Sequence, residues 1–340
     1  MTPQRSFSDS ENRFLEKFPK VSLEAIVDGK FNEDFQKYSA DQFILRDKWI
    51  RLKTSLDLLS FKKDNGRVYF GRDDYLFGVE EELNQNKFLK NIKNTNSFKA
   101  EIDFPLDIML IPTKFSVLQD KLPFKAPIID EVGLLREIEE NLDKSINLLS
   151  PIEEFKSTEE EIYYKTDHHY TSLGAYYAYR QYMEELGIDP YDLDFFKRET
   201  VTDDFLGSLF RKSNYYRGES ERIEKFIPKE DVSLNIIRDE KEELDGLYDE
   251  KFLEKNDKYS FFLGGDHSVI DIRTSIEGGE TLLLVKDSFA NSMIPFLTLH
   301  FSRIIVIDER YFNISLEEYI GDKDIDRVLF LYNIRTFYDR

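Results

Sequence analysis

The sequence contains no cysteine. Disulfides, thiolate metal sites and a cysteine nucleophile are therefore excluded, a composition that suits a protein working outside a cell that makes no use of disulfides. No apolar run approaches the roughly 18 residues of a membrane-spanning helix. The opening stretch, MTPQRSFSDSENRF, is polar and lacks the apolar centre of a signal peptide. Basic residues are the minority: 47 Lys and Arg stand against 67 Asp and Glu, for a formal net charge of -20. That balance argues against nucleic acid and anionic membranes, whose phosphates would be repelled over most of the surface. It also disfavours a polyanionic substrate, unless a local basic cleft overrides it. Glycine and proline gather in no linker, and no internal repeat is evident.

What is present is a chain of 340 residues with 14% aromatics, enough to bury a sizeable core and far from the composition of a disordered protein. It reads as one continuous unit with an N-terminal arm over 1–80 and an α/β domain over 81–340. In the arm, Phe43, Trp49, Leu52, Leu56 and Leu59 recur at near-helical spacing, and RVYFGRDDYLFG reads as two short strands around a turn. VGLLREIEENLDKSINLLS reads as an amphipathic helix. Five short apolar runs, LDIMLIPT, IYYKTD, TLLLVKDS, RIIVIDER and RVLFLYN, suit strands of a mainly parallel sheet covered on both faces. Helical patterns separate most of them. In such an open α/β sheet, ligands sit at the carboxyl ends of the strands, which here carry Thr113 and Lys114, Asp167, Asp287 and Ser288, Asp308 to Arg310, and Asn333.

Two of the four histidines lie in KTDHHYTSLGAYYAY. On a strand, Asp167 and His169 share a face and His168 points away. The carboxylate can then hold one nitrogen of His169 and leave the other as a general base. Thr171 or Ser172 caps the following helix, whose apolar stripe is Leu173, Tyr176, Tyr179, Met183 and Leu186, with Gly187 past its end. The plainer reading makes Asp167 a turn cap and both histidines ordinary polar groups. A metal site built from His169 and Asp167 with His267 or Asp266 is a third option, although the spacing fits no zinc pattern.

Ser288, in LLLVKDSFANSMIPFL, is presented where a strand gives way to a helix starting near Ser292, since Pro295 is tolerated in a first turn. It reads as a nucleophile or as a simple cap. Backbone N–H groups beside it, such as that of Phe289, can face an oxyanion. Gly264 and Gly265, taken as following a strand, allow close backbone approach as an oxyanion hole requires, or form a tight turn. Arg310 can hold a substrate oxygen or pair with Asp308 or Asp287.

At these residues the sequence resembles the DHHW family of bacterial proteins, itself similar to the SGNH-hydrolase-like proteins of alginate O-acetylation. KTDHHYTSLGAYYAY and LLLVKDSFANSMIPFL carry the likeness. SDSENRFLEKFPKVS, DGKFNEDFQKYSADQFILRDKWIRLK, VYFGRDDYLF, IMLIPTKFSVLQDKLPF, DDFLGSLFRKS, FFLGGDH and IIVIDERYF continue it in order over nearly the whole chain. The resemblance implies a flavodoxin-like SGNH core and a Ser-His-Asp triad of Ser288, His169 and Asp167, with acid and base preceding the nucleophile in the chain. Three positions depart from the pattern: Tyr170 replaces the motif's Trp, Lys286 stands where many relatives have Gly, and Asp266 stands where SGNH enzymes offer an Asn donor. An ionised Asp there would repel an oxyanion, so the hole is expected to rest on main-chain N–H groups.

The function the resemblance implies is O-acetylation or deacetylation of an extracellular or cell-wall polysaccharide by a serine acyltransferase or esterase, with no cofactor and no metal. Expected partners are a glycan acceptor and a membrane-bound acyl-transfer partner, with no nucleic acid. The expected location is the cell surface, through a membrane segment upstream of this sequence. Two alternatives stand beside it: a non-catalytic glycan-binding scaffold at the cell surface, for which the 19 tyrosines offer stacking surface, and a cytoplasmic esterase acting on a small metabolite.

Overall fold

Residues 4–8, 13–79, 83–215, 218–230, 232–321 and 323–339 are described by a computed structural model. Its centre is an eight-stranded sheet. In chain order the strands are β1 (Leu106–Ile111), β2 (Ile146–Leu149), β3 (Leu234–Arg238), β4 (Glu242–Leu244), β5 (Val269–Thr274), β6 (Thr281–Lys286), β7 (Arg303–Ile307) and β8 (Arg327–Asn333). Their spatial order is β4-β3-β5-β7-β6-β8-β1-β2. The five strands from β7 to β2 are parallel. The other three extend the sheet antiparallel beyond β7. This is the open, mainly parallel α/β sheet flanked by helices that the apolar runs imply.

The apolar runs are continuous because alternate residues feed two cores. On one face Leu282, Leu284, Ile304, Val306, Leu329 and Leu331 pack with Tyr176, Tyr179 and Phe296. On the other, Leu283, Val285, Ile305, Ile307, Val328 and Phe330 meet Phe88, Ile92, Ile138 and Phe337. Helices α1 (Gln85–Ala100) and α2 (Glu131–Asn141) cover the second face, and α3 (Ser172–Glu185) covers the first. The Thr171 hydroxyl accepts the Gly174 N–H as the cap of α3, whose Leu173, Tyr176, Tyr179 and Met183 are buried. Gly187, at φ +69°, follows its end.

Three local readings change. VGLLREIEENLDKSINLLS is not one helix: α2 stops before Leu142, whose backbone turns extended, and the Asp143 carboxylate accepts the Ser145 N–H to turn the chain into β2. IYYKTD forms no strand beyond an isolated bridge between Tyr163 and Tyr170; its main-chain groups are divided between the side chains of Lys114 and Glu221 and scattered main-chain partners at Leu76, His169, Thr171 and Phe210. The double glycine Gly264–Gly265 does not follow a strand; it lies between a 3-10 turn, Lys258–Phe261, and β5.

In the arm, Val68–Phe70 and Leu76–Gly78 form the expected antiparallel pair. The helix over the apolar stretch runs Arg46–Leu59, starting after Leu45 at φ +57°, so Phe43 lies outside it, and a separate helix, Lys30–Asp41, precedes it. The stretch's apolar residues Phe43, Trp49, Leu52, Leu56 and Leu59 are exposed. Part of SDSENRFLEKFPKVS, residues 9–12, lies outside the described residues. No helix among the described residues is long and apolar enough to cross a membrane.

Candidate active site

The carboxyl ends of β6, β8 and β1 meet at one rim of the sheet, tied together by main-chain and side-chain bonds. The Asp287 N–H donates to the Leu331 carbonyl at 3.2 Å. The buried Asp287 carboxylate accepts the Phe289 N–H, the Asn333 N–H and the Thr336 hydroxyl at 2.9, 2.8 and 2.7 Å. Asp287 thus caps the 3-10 turn Ser288–Ser292, and the α-helix Ile294–Leu297 follows with Pro295 in its first turn. Burial pushes the Asp287 carboxyl up, against these hydrogen bonds.

Ser288 opens that turn, half-buried, and its hydroxyl lies 2.8 Å from Nε2 of His169. His169 Nδ1 lies 2.6 Å from Asp167 Oδ1, and the His169 main-chain N–H donates to the same oxygen at 3.0 Å. Ser208 N–H donates to Asp167 Oδ2 at 2.6 Å. Both Asp167 and His169 are buried. Burial works to raise the Asp167 carboxyl, but the two imidazoles and the bonds from His169 and Ser208 outweigh it and hold it well below the usual carboxylate range. An acceptor fixed on Nδ1 puts the imidazole proton there and leaves Nε2 a base towards Ser288.

The loop bearing Asp167 and His169 is irregular, and the structure replaces the strand geometry with three supports. Glu221 accepts the N–H groups of Lys165 and Thr166 at 2.5 and 2.8 Å. The buried Lys114 ammonium donates to the carbonyls of Tyr164, Leu76 and Lys165 at 2.6, 2.9 and 3.3 Å. Gly207 packs so closely that a Cβ there would stand 2.3 Å from the Asp167 Cβ, so this position requires a residue without one. Because no strand forms, His168 does not point away: its ring centroid is 3.9 Å from that of His169, and its Nδ1 meets Ser208 Oγ at 2.9 Å.

The other expected residues have different surroundings. The Phe289 N–H is committed to Asp287, while the Phe289 ring packs 4.8 Å from His169. Tyr170 is buried, and its hydroxyl donates to the Phe289 carbonyl at 2.7 Å, so it braces the serine turn from within. The Gly265 N–H donates to the Phe262 carbonyl, and Gly264 and Gly265 take φ +70° and +96° in a turn packed on Arg238, Asp249 and Ser260. Arg310 is held by Asp308 and, at 2.9 Å, by Asp266; it makes no ion pair with Asp287 among the described residues. Lys286, fully buried, lies 2.9 Å from Asp266 and 3.2 Å from Asp308. Asn291 adds a 3.2 Å bond to Asp266. Burial works to raise the Asp266 carboxyl, but Lys286 and Arg310 outweigh it and bring it down to about 2. The charges that depart from the family pattern therefore neutralise one another.

Tyr259 was not legible in the sequence. Its ring stacks on His169 at 3.8 Å and 8°, and its hydroxyl lies 3.3 Å from the Ser288 carbonyl and 3.1 Å from Ser292 Oγ. Ligand atoms of Asp167, His168 and His169 lie within 4.8 Å of one another, the spacing of a metal cluster, but Asp167 Oδ1 and both nitrogens of His169 are already bonded within the Asp167–His169–Ser288 chain. His267 instead sits against Gly264 and Arg238.

A family model described as DHHW protein matches residues 141–307. A second, described as SGNH hydrolase-like domain, acetyltransferase AlgX, matches residues 68–211. Among solved structures, a DHHW family protein from Eubacterium siraeum is 23% identical, with a TM-score of 0.64 over 80% of this chain and 95% of that one. Bacillus cereus PatB1, solved with a sulfonyl adduct, is 20% identical, with a TM-score of 0.69 over 80% of this chain and 96% of that one. No curated protein matches the chain. At these identities the structures show the shared fold, and the resemblance to DHHW and SGNH hydrolase-like proteins stands.

Proposed function

Starting from a DHHW-like chain on an SGNH hydrolase-like fold, we propose that this protein is a serine O-acyltransferase that moves acetyl groups to glycan hydroxyls through Ser288, His169 and Asp167. The observation that carries the proposal is the unbroken hydrogen-bond chain Asp167–His169–Ser288, with links of 2.6 and 2.8 Å. The match of residues 68–211 to a family model of an acetyltransferase domain supports acetyl as the group moved.

In this reading Ser288 Oγ attacks the carbonyl carbon of an acetyl donor as its proton passes to Nε2 of His169. The tetrahedral intermediate collapses, the donor's C–O bond breaks, and the imidazolium returns the proton to the departing oxygen. A sugar hydroxyl then gives its proton to His169, attacks the acetyl-serine, and leaves as the acetylated product while Ser288 regains its proton. Asp167 keeps the proton of the neutral ring on Nδ1 throughout and stabilises the imidazolium. With the Phe289 N–H occupied, the oxyanion donor assigned here is the N–H of Ser288 itself. Water in place of the sugar gives hydrolysis, so esterase activity on a simple acetyl ester is the accessible readout.

Ser288→Ala is expected to abolish turnover of a nitrophenyl acetate with the fold intact. Turnover equal to wild type in a homogeneous preparation overturns the mechanism. Saturable glycan binding without turnover in wild type would instead support a scaffold that keeps the fold.

A further inference from the structure

The segment Tyr164–Thr166, immediately before Asp167, belongs to no strand: its Tyr164 N–H donates to the His169 carbonyl at 3.3 Å and its Thr166 carbonyl accepts the Phe210 N–H at 3.0 Å, and its remaining polar main-chain groups need other partners. On one side the Lys114 ammonium takes the Tyr164 and Lys165 carbonyls, together with that of Leu76, whose own N–H donates to the Lys165 carbonyl at 2.9 Å. On the other side Glu221 takes the N–H groups of Lys165 and Thr166, and the Thr166 hydroxyl at 2.5 Å. The Thr166 hydroxyl accepts the Gly207 N–H at 3.0 Å, which sets Gly207 against Asp167 and places the Ser208 N–H on its carboxylate.

This arrangement is costly. Lys114 is buried, with its ammonium 5.8 and 5.6 Å from the ring centroids of Tyr75 and Phe77. Burial brings it down to about 7, against the pull of Glu221 and Asp167. Burial likewise pushes the Glu221 carboxyl up, against its bonds to Thr166 and Lys165 and the charge of Lys114. An ordinary strand would have satisfied the same backbone groups without burying ionisable side chains. What the clamp supplies is a bent loop, in which Asp167 and His169 share an edge through both the main chain and the ring.

We propose that Lys114 and Glu221 are positioning residues: a buried ammonium and a carboxylate grip opposite sides of the Tyr164–Thr166 backbone and thereby set the angle at which Asp167 holds His169 towards Ser288. The proposal rests on the acyl-transfer reading for its kinetic consequence, and on the geometry alone for its structural one. The bonds of both residues go to Leu76 and the Tyr164–Thr166 segment and not to Asp167, His169 or Ser288, so their loss is expected to act on chemistry more than on ester binding. A misplacement near 1 Å costs about 10²-fold in rate.

The test uses the full chain as wild type, Ser288→Ala, Glu221→Gln, Glu221→Asp and Lys114→Met. Gln cannot accept both N–H groups, because its amide presents a donor to one of them. Glu221→Gln is expected to lower kcat on a nitrophenyl acetate about 10²-fold with KM little changed, and Glu221→Asp, which keeps both oxygens, to recover part of the loss. The second readout does not use activity. The ring ¹⁵N shifts of His169, one of four histidines, report which nitrogen carries the proton. Wild type and Ser288→Ala should show the Nδ1–H form, and Glu221→Gln a mixture of tautomers. If Ser288→Ala retains turnover, the acyl-transfer reading falls while the shifts still decide the clamp. Folded Glu221→Gln and Lys114→Met with wild-type His169 shifts overturn it; if Lys114→Met does not fold, Glu221→Gln alone decides.

Discussion

Asp167→Asn is the substitution whose consequence is most constrained by the geometry. Asp167 accepts three hydrogen bonds and donates none: Oδ1 receives the His169 N–H at 3.0 Å and pairs with its Nδ1 at 2.6 Å, and Oδ2 receives the Ser208 N–H at 2.6 Å. Asparagine replaces one oxygen with a donor. If the amide oxygen stays on His169, the NH2 group opposes the Ser208 N–H. If the oxygen turns to Ser208, the NH2 group faces Nδ1, which must then be the unprotonated nitrogen. The proton moves to Nε2, which no longer accepts from Ser288. In serine hydrolases with this constellation such a change lowers kcat about 10⁴-fold. At about 1.4 kcal/mol per decade that is about 5 kcal/mol of lost transition-state stabilisation. The buried unpaired donor should also lower folding stability by about 1–3 kcal/mol. The assay is kcat/KM on a nitrophenyl acetate across pH, with urea unfolding on the same preparation. Activity within tenfold of wild type, in a protein whose Ser288 still reacts, would refute the orienting role of Asp167.

His300 is a buried-side acceptor: the Tyr179 hydroxyl receives the Tyr191 N–H, so it donates its own proton to His300 Nε2. Burial brings this imidazole down to about 4 from 6.5. Its folded value lies below its unfolded one, so its stabilisation is full above pH 6.5 and is lost as pH falls towards 4. The loss is on the order of 2 kcal/mol after allowance for partial exposure, and denaturant midpoints at pH 7 and 5 should differ less in His300→Gln. Gly207→Ala drives a methyl into Asp167 and should cost about 1–3 kcal/mol of stability together with most of the activity, read by thermal melts and ester turnover. Lys286→Met leaves the fully buried Asp308 with Arg310 as its remaining cation and removes one charged bond from it, and should destabilise by about 1–3 kcal/mol in denaturant titration. Tyr259→Phe keeps the ring on His169 and loses only the hydroxyl bonds, so kcat should fall about fivefold, and further in Tyr259→Ala.

Four of the five apolar runs became parallel strands because each is long enough to feed both cores, a property that composition along the run expresses directly. Ile146–Leu149 was hidden because four residues directly behind a helix carry too short a period to separate from it. The run Ile162–Asp167 misleads for another reason: its tyrosines are buried as in a strand, while its backbone is served in part by Lys114 and Glu221, which sit about 50 residues away on either side. No local pattern expresses that. Asp167, His169 and Ser288 were legible as residue types at chain turns and through family register, and the structure brings the three together. Tyr259 was not, since stacking on an imidazole leaves no mark in spacing. The double glycine and Arg310 drew attention as polar or flexible positions near the rim, and are occupied by turn geometry and by Asp266 and Asp308.

Acylation of the Ser288 hydroxyl is read by peptide-resolved mass spectrometry after brief exposure to an activated acetyl ester. Acetyl is expected on the peptide holding Ser288 in wild type, with slower labelling in His169→Ala and none in Ser288→Ala. Equal labelling of wild type and Ser288→Ala, or acetyl found only on other side chains, would contradict acylation at Ser288.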